Sequence, residues 1–273
     1  MNDRINRIAS VANLALYDDA ATREYVDGAP HIKHASLRSL YGSLVTEVFD
    51  AAAGKKGDAP DVLDSGAGEG SVTLPFLELG ARVTAVDIAE AQLRKLKERC
   101  SQQSGRLHVV CEDVNSFLRG TDRTYDIVVA NSFLHHVPDY LGLIRLAAAR
   151  VAVGGTFFSF QDPMRYDTVG GLSTVYEKWA YLWWRLFRGD VIGGLVRRFR
   201  RARGIYHEDS VHDNTEYHGT RNGVDQNAIA GLFQELGFEC RIVRYYSTQS
   251  PFYQMIGERL RLKNTFAVIA TRS

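Results

Sequence analysis

Residues 64–70 read Asp-Ser-Gly-Ala-Gly-Glu-Gly, and residues 66–70 of this stretch are called the glycine loop below. An apolar run, Val62-Leu63, precedes the stretch and predicts a strand, and a helix is predicted from Ser71 to Leu79. Glycines lack a Cβ atom, so they permit a tight turn and let the backbone approach a ligand at a helix N-terminus. This order of strand, glycine loop and helix indicates a nucleotide-binding α/β fold, although the loop alone would also fit a structural turn.

Strand patterns alternate with helical patterns along most of the remaining chain. Further strands are predicted at residues 82–87, 107–111, 125–130, 156–160, 239–246 and 265–271. The fifth strand of the chain, residues 156–160, is expected to follow a turn at Gly154-Gly155. No crossover helix of suitable length is evident between the last two strands. We therefore predict an α/β fold with a doubly wound, mostly parallel, seven-stranded Rossmann-like sheet that ends in an antiparallel pair.

The sequence predicts additions on either side of this alternating region. Residues 1–58 are expected to form an N-terminal helical cover ending in a polar linker, and residues 59–273 the main domain. A helical cap is predicted within that domain at about residues 163–223. One face of the cap is aromatic and another rich in Arg, so it packs on the core or on a partner subunit, covers a large hydrophobic or acidic acceptor, or touches anionic lipid.

The composition excludes several classes of protein. Among 273 residues, 33 basic and 32 acidic side chains give a formal charge of +1, so no global field attracts nucleic acid. The 3 cysteines lack the spacing of zinc ligands or of a disulfide framework, which favours a reducing compartment. We see no secretory signal and no apolar run that could span a bilayer, so we expect a cytoplasmic protein without a transmembrane segment.

Acidic residues stand at the ends of the second and third predicted strands. Asp87 and Asp113 occupy positions where nucleotide-binding α/β folds place ligand contacts, and Asp87 would accept hydrogen bonds from ribose hydroxyls. A dinucleotide fingerprint requires Gly or Ala at the sixth position of the glycine motif, where this chain has Ser71. Asp64 would also repel a pyrophosphate, so the pattern better suits a cationic ligand such as a sulfonium.

Residues 62–70 resemble motif I of the class I S-adenosylmethionine-dependent methyltransferases, and Asp87 matches the acid that follows it. The resemblance extends to Asp113 and to residues 131–137, which are similar to a segment of small-molecule methyltransferases; it covers about residues 60–162. It implies S-adenosylmethionine as the cofactor, with successive segments of the chain binding its methionine part, its ribose, its adenine and its amino-acid end. The implied cofactor-binding residues are Asp64, Gly66, Ala67, Gly68, Asp87, Ile88, Asp113, Val114, Asn131 and Ser132.

The sequence identifies the acceptor-binding residues less specifically than the cofactor-binding residues. His136 and His135 follow the fourth strand and are candidates for a catalytic base, or else they hydrogen-bond the backbone and shape the pocket. The spacing of the histidines of residues 207–218 matches no strong zinc pattern, so we expect no metal site. Candidates for contacts with the acceptor are Trp183, Tyr217, His218 and Arg221.

Taken with the resemblance, the sequence predicts an enzyme that transfers a methyl group to oxygen or nitrogen of a small organic acceptor, such as a natural product or a lipid-like molecule. The alternatives are an NAD(P)-dependent oxidoreductase and a methyltransferase-fold protein with a non-methylating role. Methylation of nucleic-acid bases ranks lower, because Ser-Phe-Leu rather than Pro-Pro and an aromatic residue follows Asn131. We expect no sequence-specific nucleic-acid partner; a homodimer and a peripheral membrane contact stay open.

Overall fold

The computed structural model describes residues 2–17, 29–56, 58–176, 179, 217–219 and 221–273. At its centre lies a seven-stranded sheet with the strand order β3-β2-β1-β4-β5-β7-β6. The strands are β1 (Asp61–Ser65), β2 (Arg82–Asp87), β3 (Leu107–Cys111), β4 (Tyr125–Val129), β5 (Val151–Pro163), β6 (Phe238–Tyr245) and β7 (Thr265–Arg272).

Strands β1 to β5 are parallel, and β7 runs antiparallel between β5 and β6. The strand order reverses beside β1, where β1 pairs with both β2 and β4, so the carboxyl ends of these strands form a topological switch point. The prediction of a doubly wound, mostly parallel sheet is confirmed.

Helices cover both faces of the sheet. They are α1 (Asn2–Tyr17), α2 (Pro30–Lys33), α3 (Ala35–Lys56), α4 (Thr73–Glu78), α5 (Glu90–Arg99), α6 (Val114–Gly120), α7 (Tyr140–Ala149), α8 (Gln226–Glu235) and α9 (Pro251–Arg259). Neighbouring strand residues pack into opposite cores: Val62 joins the core beneath α3 to α5, and Leu63 the core beneath α6 to α8. The central strands β1 and β4 are therefore buried from both sides, as is typical of a parallel sheet.

Two expectations about the secondary structure were wrong. Strand β5 begins at Val151 and continues through Gly154-Gly155, where a turn had been expected. The glycines accommodate an irregularity within the strand: the pairing register of β4 and β5 shifts between Tyr125 and Ile127, and Gly154 has φ +75°. Helix α9, which we had not expected, joins β6 to β7 and begins with Pro251 in its first turn.

In the N-terminal region the described residues 2–17 and 29–56 are mostly helical, and α3 extends to Lys56 through the start of the expected linker. The predicted cap includes residues 180–216, which lie outside the described part of the chain, as do Trp183, His207 and His212. Among the described residues, no helix is long and apolar enough to cross a membrane, and no cluster of side chains could hold a metal ion.

Candidate active site

The glycine loop turns sharply between β1 and α4. Gly66, Gly68 and Gly70 have φ values of +77°, +50° and +90°, a region that favours glycine. A Cβ atom on Gly66 would overlap the ring of Phe133, whereas one on Gly68 would meet nothing within 4 Å. Gly68 also lines a cleft, so its missing side chain leaves space for a ligand to approach the backbone.

Asp64 supports this loop from within the protein. Its buried carboxylate accepts a hydrogen bond of 2.6 Å from Thr73 Oγ1, and it is not among the residues that line the cleft. Burial raises the pKa of Asp64 to about 7; Asp87 also raises it, while the hydrogen bond from Thr73 lowers it. Asp64 thus connects the loop to the first turn of α4.

Asp87, at the end of β2, fixes the opposite side of the loop. Its Oδ2 accepts from Gly68 N at 2.8 Å and its Oδ1 from Ala89 N at 2.9 Å. Burial raises the pKa of Asp87 above its ordinary value, against the opposing effect of these backbone donors. Each carboxylate oxygen can accept more than one hydrogen bond, so Asp87 retains capacity for a ligand.

Asp113, beyond β3, caps helix α6 and contacts the N-terminal cover. Its Oδ1 accepts from Ser116 N at 3.1 Å, and its Oδ2 accepts from Ser10 Oγ at 3.1 Å. Helix α1 has a second attachment, because Asp139 N donates to Asn6 Oδ1 at 3.2 Å. Helix α1 therefore extends over the carboxyl ends of the parallel strands.

Asn131 follows β4 and lines the cleft. Its Oδ1 is buried and has no hydrogen-bond partner among the described residues. The next residue, Ser132, has φ +50°, and its N–H donates to Phe160 O at 2.7 Å, which fixes the turn after β4. A buried acceptor without a donor is costly, so Asn131 is suited to a ligand that brings an N–H or O–H group.

These strand ends and the N-terminal cover enclose one cleft with an empty volume of about 1090 Å³, counting the part open to solvent. Of the cofactor-binding residues predicted from the sequence, the cleft brings together all except Asp64. They line it together as Gly66, Ala67, Gly68, Asp87, Ile88, Asp113, Val114, Asn131 and Ser132.

Sequence reasoning missed a second set of lining residues from the N-terminal cover. These are Asn6, Ala9, Ser10, Asn13, Ala29 and His31. No local motif identified them, because only the packing of α1 and α2 over the sheet brings them near the glycine loop. His31 is 2% exposed, and neither of its ring nitrogens has a hydrogen-bond partner among the described residues.

The two predicted catalytic histidines are adjacent but differently placed. His136 lines the cleft, and its ring centroid lies 4.0 Å from that of His135. His135 lies behind it, with Nδ1 2.8 Å from Oδ1 of Asp162, and the same oxygen accepts from His135 N at 3.1 Å. Asp162, at the end of β5, is fully buried and so fixes the orientation of the His135 ring.

The predicted acceptor contacts within the described residues lie beside the cleft rather than among its lining residues. His218 N donates to His135 O at 2.8 Å, and His218 Nε2 lies 3.1 Å from Pro138 O. Burial is the main reason that the pKa of His218 is lowered. The guanidinium of Arg221 lies 3.7 Å from the centre of the Tyr217 ring. His218 thus packs against residues 135–138, and Tyr217 and Arg221 lie beside it.

Comparison with known proteins places this geometry in a family context. Residues 62–155 match a family model described as a methyltransferase domain. A ubiquinone biosynthesis O-methyltransferase from Coxiella burnetii is 33% identical over 97 residues, 36% of this chain and 41% of that protein. One from Vibrio parahaemolyticus is 34% identical over 124 residues, 45% of this chain and 51% of that protein. The matched segment thus spans about half or less of these relatives.

Solved structures resemble the chain over nearly its whole length. Magnesium protoporphyrin IX methyltransferase from Synechocystis, with bound S-adenosylhomocysteine, has a TM-score of 0.52 at 18% identity, covering 100% of this chain and 97% of that one. The N-methyltransferase NodS from Bradyrhizobium japonicum has a TM-score of 0.53 at 12% identity, covering 97% and 98%. Identities this low establish the fold alone.

The strand order, the glycine loop and the family match agree with the resemblance noted from the sequence, which is thereby confirmed. The chain shares its Rossmann-like fold with these solved methyltransferases, and its residues 62–155 match the methyltransferase-domain family.

Proposed function

We propose that the protein transfers a methyl group from S-adenosylmethionine to oxygen or nitrogen of a small organic acceptor. The observation that carries the proposal is the convergence of the glycine loop, Asp87, Asp113 and Asn131 on one cleft at the switch point of the sheet. The named relatives, which are O-methyltransferases of ubiquinone biosynthesis, favour oxygen as the methylated atom.

The cleft fits the cofactor in two respects. Asn131 Oδ1 is buried and receives no hydrogen bond from the described residues, so the α-ammonium of the cofactor would supply the donor. Gly68 leaves open space beside the backbone. Asp87, with Ile88 beside it, would hold the ribose, Asp113 and Val114 the adenine, and Ser132 would join Asn131 at the amino-acid end. The residues Gly66 to Gly68 would surround the methionine chain, with Asp64 supporting them from behind.

The cofactor supplies an electrophilic methyl group on a positively charged sulfur. The protein aligns the acceptor with that methyl group and keeps water away, through the apolar lining of Phe133, Val137 and Pro138. An acceptor hydroxyl must also lose its proton. We assign this role to His136, which lines the cleft. The ring of His135 packs against that of His136, and Asp162 fixes the orientation of His135.

The acceptor is proposed to enter beside residues 135–138, next to the described end of the predicted cap, residues 217–219 and 221–223. Tyr217, His218 and Arg221 stand beside the histidines, and Trp183 belongs to the same proposal from the sequence alone. An aromatic or lipid-like acceptor would match the apolar residues on this side of the cleft.

Two finer proposals concern the surroundings of the enzyme. The three free cysteines favour a reducing, cytoplasmic location. Exposed apolar side chains on residues 171–179 and on α9, among them Leu172, Trp179 and Phe252, support a homodimer or a peripheral membrane contact. Light scattering and vesicle sedimentation would separate these two.

An NAD(P)-dependent oxidoreductase fits less well. The described residues lining the cleft include Asp87 and Asp113 but no Lys or Arg, and an anionic pyrophosphate would be poorly placed among them. Titration with S-adenosylhomocysteine and, separately, with NADH distinguishes the oxidoreductase from the methyltransferase. A non-methylating protein of this fold would bind the cofactor without consuming it.

Turnover tests methyl transfer directly. Purified protein is incubated with S-adenosylmethionine and a panel of phenols, carboxylic acids and amines, and S-adenosylhomocysteine is measured. We expect acceptor-dependent formation of S-adenosylhomocysteine, abolished when heat-denatured protein is used. Binding of the cofactor without product from any acceptor in a broad panel would argue for the non-methylating role.

A further inference from the structure

His31, on α2 of the N-terminal cover, is a buried polar side chain. It is 2% exposed and lines the cleft, and its ring atoms are the buried side-chain nitrogens without a partner among the described residues. Leaving such a group unsatisfied costs stability, so the position is suited to a ligand. His34, on the same turn of chain, differs: its Nε2 lies 2.7 Å from Thr248 O.

The neighbours of His31 define which end of the cleft it faces. Its ring lies edge-on to Tyr41 and Phe160, with centroid distances of 5.2 and 5.8 Å. Tyr41 donates to Ser71 O at 3.1 Å, and Phe160 O accepts from Ser132 N at 2.7 Å. His31 is therefore tied, through one residue on each side, to the end of the glycine loop and to the turn after β4.

The turn after β4 is assigned above to the amino-acid end of the cofactor, and the glycine loop to the adjoining methionine chain. The amino-acid end carries an α-ammonium, for which Asn131 Oδ1 is available, and an α-carboxylate, which needs donors. The amides of Gly66, Ala67, Gly68 and Gly70 already donate to Val86 O, to Asp87 and to Ala67 O. The described lining residues include no Lys or Arg, so the usual partners of a carboxylate are missing from them.

We infer that His31 is a cofactor-binding residue that donates a hydrogen bond to the α-carboxylate of the cofactor. This inference rests on the proposed function. Burial lowers the pKa of His31 to about 4, so the ring is neutral near pH 7 and presents one N–H donor. The flanking aromatic rings hold it in place, so little side-chain freedom is lost on binding.

The test uses two ligands that differ only in the carboxylate: S-adenosylhomocysteine and 5′-S-(3-aminopropyl)-5′-thioadenosine, which is the same molecule without that group. His31→Leu fills the same space without hydrogen bonding. We expect it to weaken S-adenosylhomocysteine about 10- to 100-fold by calorimetry, while affinity for the amine analogue changes little. Because an unsatisfied buried group is removed, the ligand-free variant should melt at the same or a higher temperature.

Two further variants complete the design. His31→Gln keeps an N–H donor and should recover part of the lost affinity; it also serves if His31→Leu does not fold. His34→Leu, the matched control outside the cleft, should affect both ligands equally. Equal weakening of both ligands by His31→Leu, or unchanged affinity for S-adenosylhomocysteine, would overturn the inference. Failure of the wild-type protein to bind S-adenosylhomocysteine at all would instead overturn the proposed function.

Discussion

At the scale of a single residue, substitution of Asp87 tests the proposed cofactor site. Its carboxylate holds the amides of Gly68 and Ala89, and we propose that it also accepts from the ribose hydroxyls. Asp87→Asn should weaken S-adenosylhomocysteine by about 1 to 3 kcal/mol, because an amide is a weaker acceptor than a carboxylate. Calorimetry measures this, with the exposed Asp122→Asn as control. Unchanged affinity in Asp87→Asn would refute the ribose assignment.

His136 carries the proposed proton transfer. Replacing it by Gln should lower kcat about 100-fold or more for a hydroxyl acceptor and leave the affinity for S-adenosylhomocysteine unchanged, since only the base is removed. Asp162→Asn should lower kcat less, because His135 then loses only its charged partner. Steady-state kinetics on both variants is the measurement. If His136→Gln retained the wild-type kcat, alignment alone would account for the rate.

Asp64 makes stability depend on pH. Its folded pKa of about 7 lies above the unfolded value of about 3.9, so the folded chain binds the proton more tightly. The free energy of unfolding should therefore fall as the pH rises from about 4 to about 7, by about 2 to 4 kcal/mol from this group. Urea unfolding of the wild type and of Asp64→Asn, compared across this range, isolates the effect. Parallel stability curves for the two proteins would contradict the assignment.

At the scale of the element, the glycine loop should respond differently at two neighbouring glycines. Gly66→Ala introduces a Cβ into the ring of Phe133 at a φ of +77° and should destabilise the fold. Gly68→Ala has open space at its Cβ, so it should cost only about 1 to 2 kcal/mol of backbone strain while obstructing the ligand. Thermal unfolding and calorimetry separate these effects. A Gly68→Ala protein with full affinity would place the ligand away from the loop.

The N-terminal cover shows where sequence reasoning reaches its limit at this scale. A helix at α3 could be predicted from the sequence, because Leu37, Leu40 and Leu44 recur at helical spacing and a buried helix face has that period. The contact of Ser10 with Asp113 and the position of His31 depend on how separate helices pack, which leaves no local signal. Helix α9 was missed for a different reason: its amphipathic pattern is short and resembles a polar connection.

At the scale of the whole molecule, the sheet was predictable because its strands are short apolar runs separated by glycine and polar turns. The carboxyl ends of parallel strands meet at one edge, so Asp87, Asp113 and Asn131 could be grouped before any coordinates. The placement of Asp64 behind the loop could not, because both sides of a buried strand look alike in sequence. The residues 180–216 of the predicted cap lie outside the described chain, and their role stays a prediction.

The central claim is that this cleft binds S-adenosylmethionine rather than a dinucleotide. Isothermal titration of the wild-type protein with S-adenosylhomocysteine and, separately, with NADH tests it most directly. We predict one site for S-adenosylhomocysteine with a Kd of about 1 to 100 μM, and no heat of binding for NADH at millimolar concentration. Saturable binding of NADH together with no binding of S-adenosylhomocysteine would contradict the account.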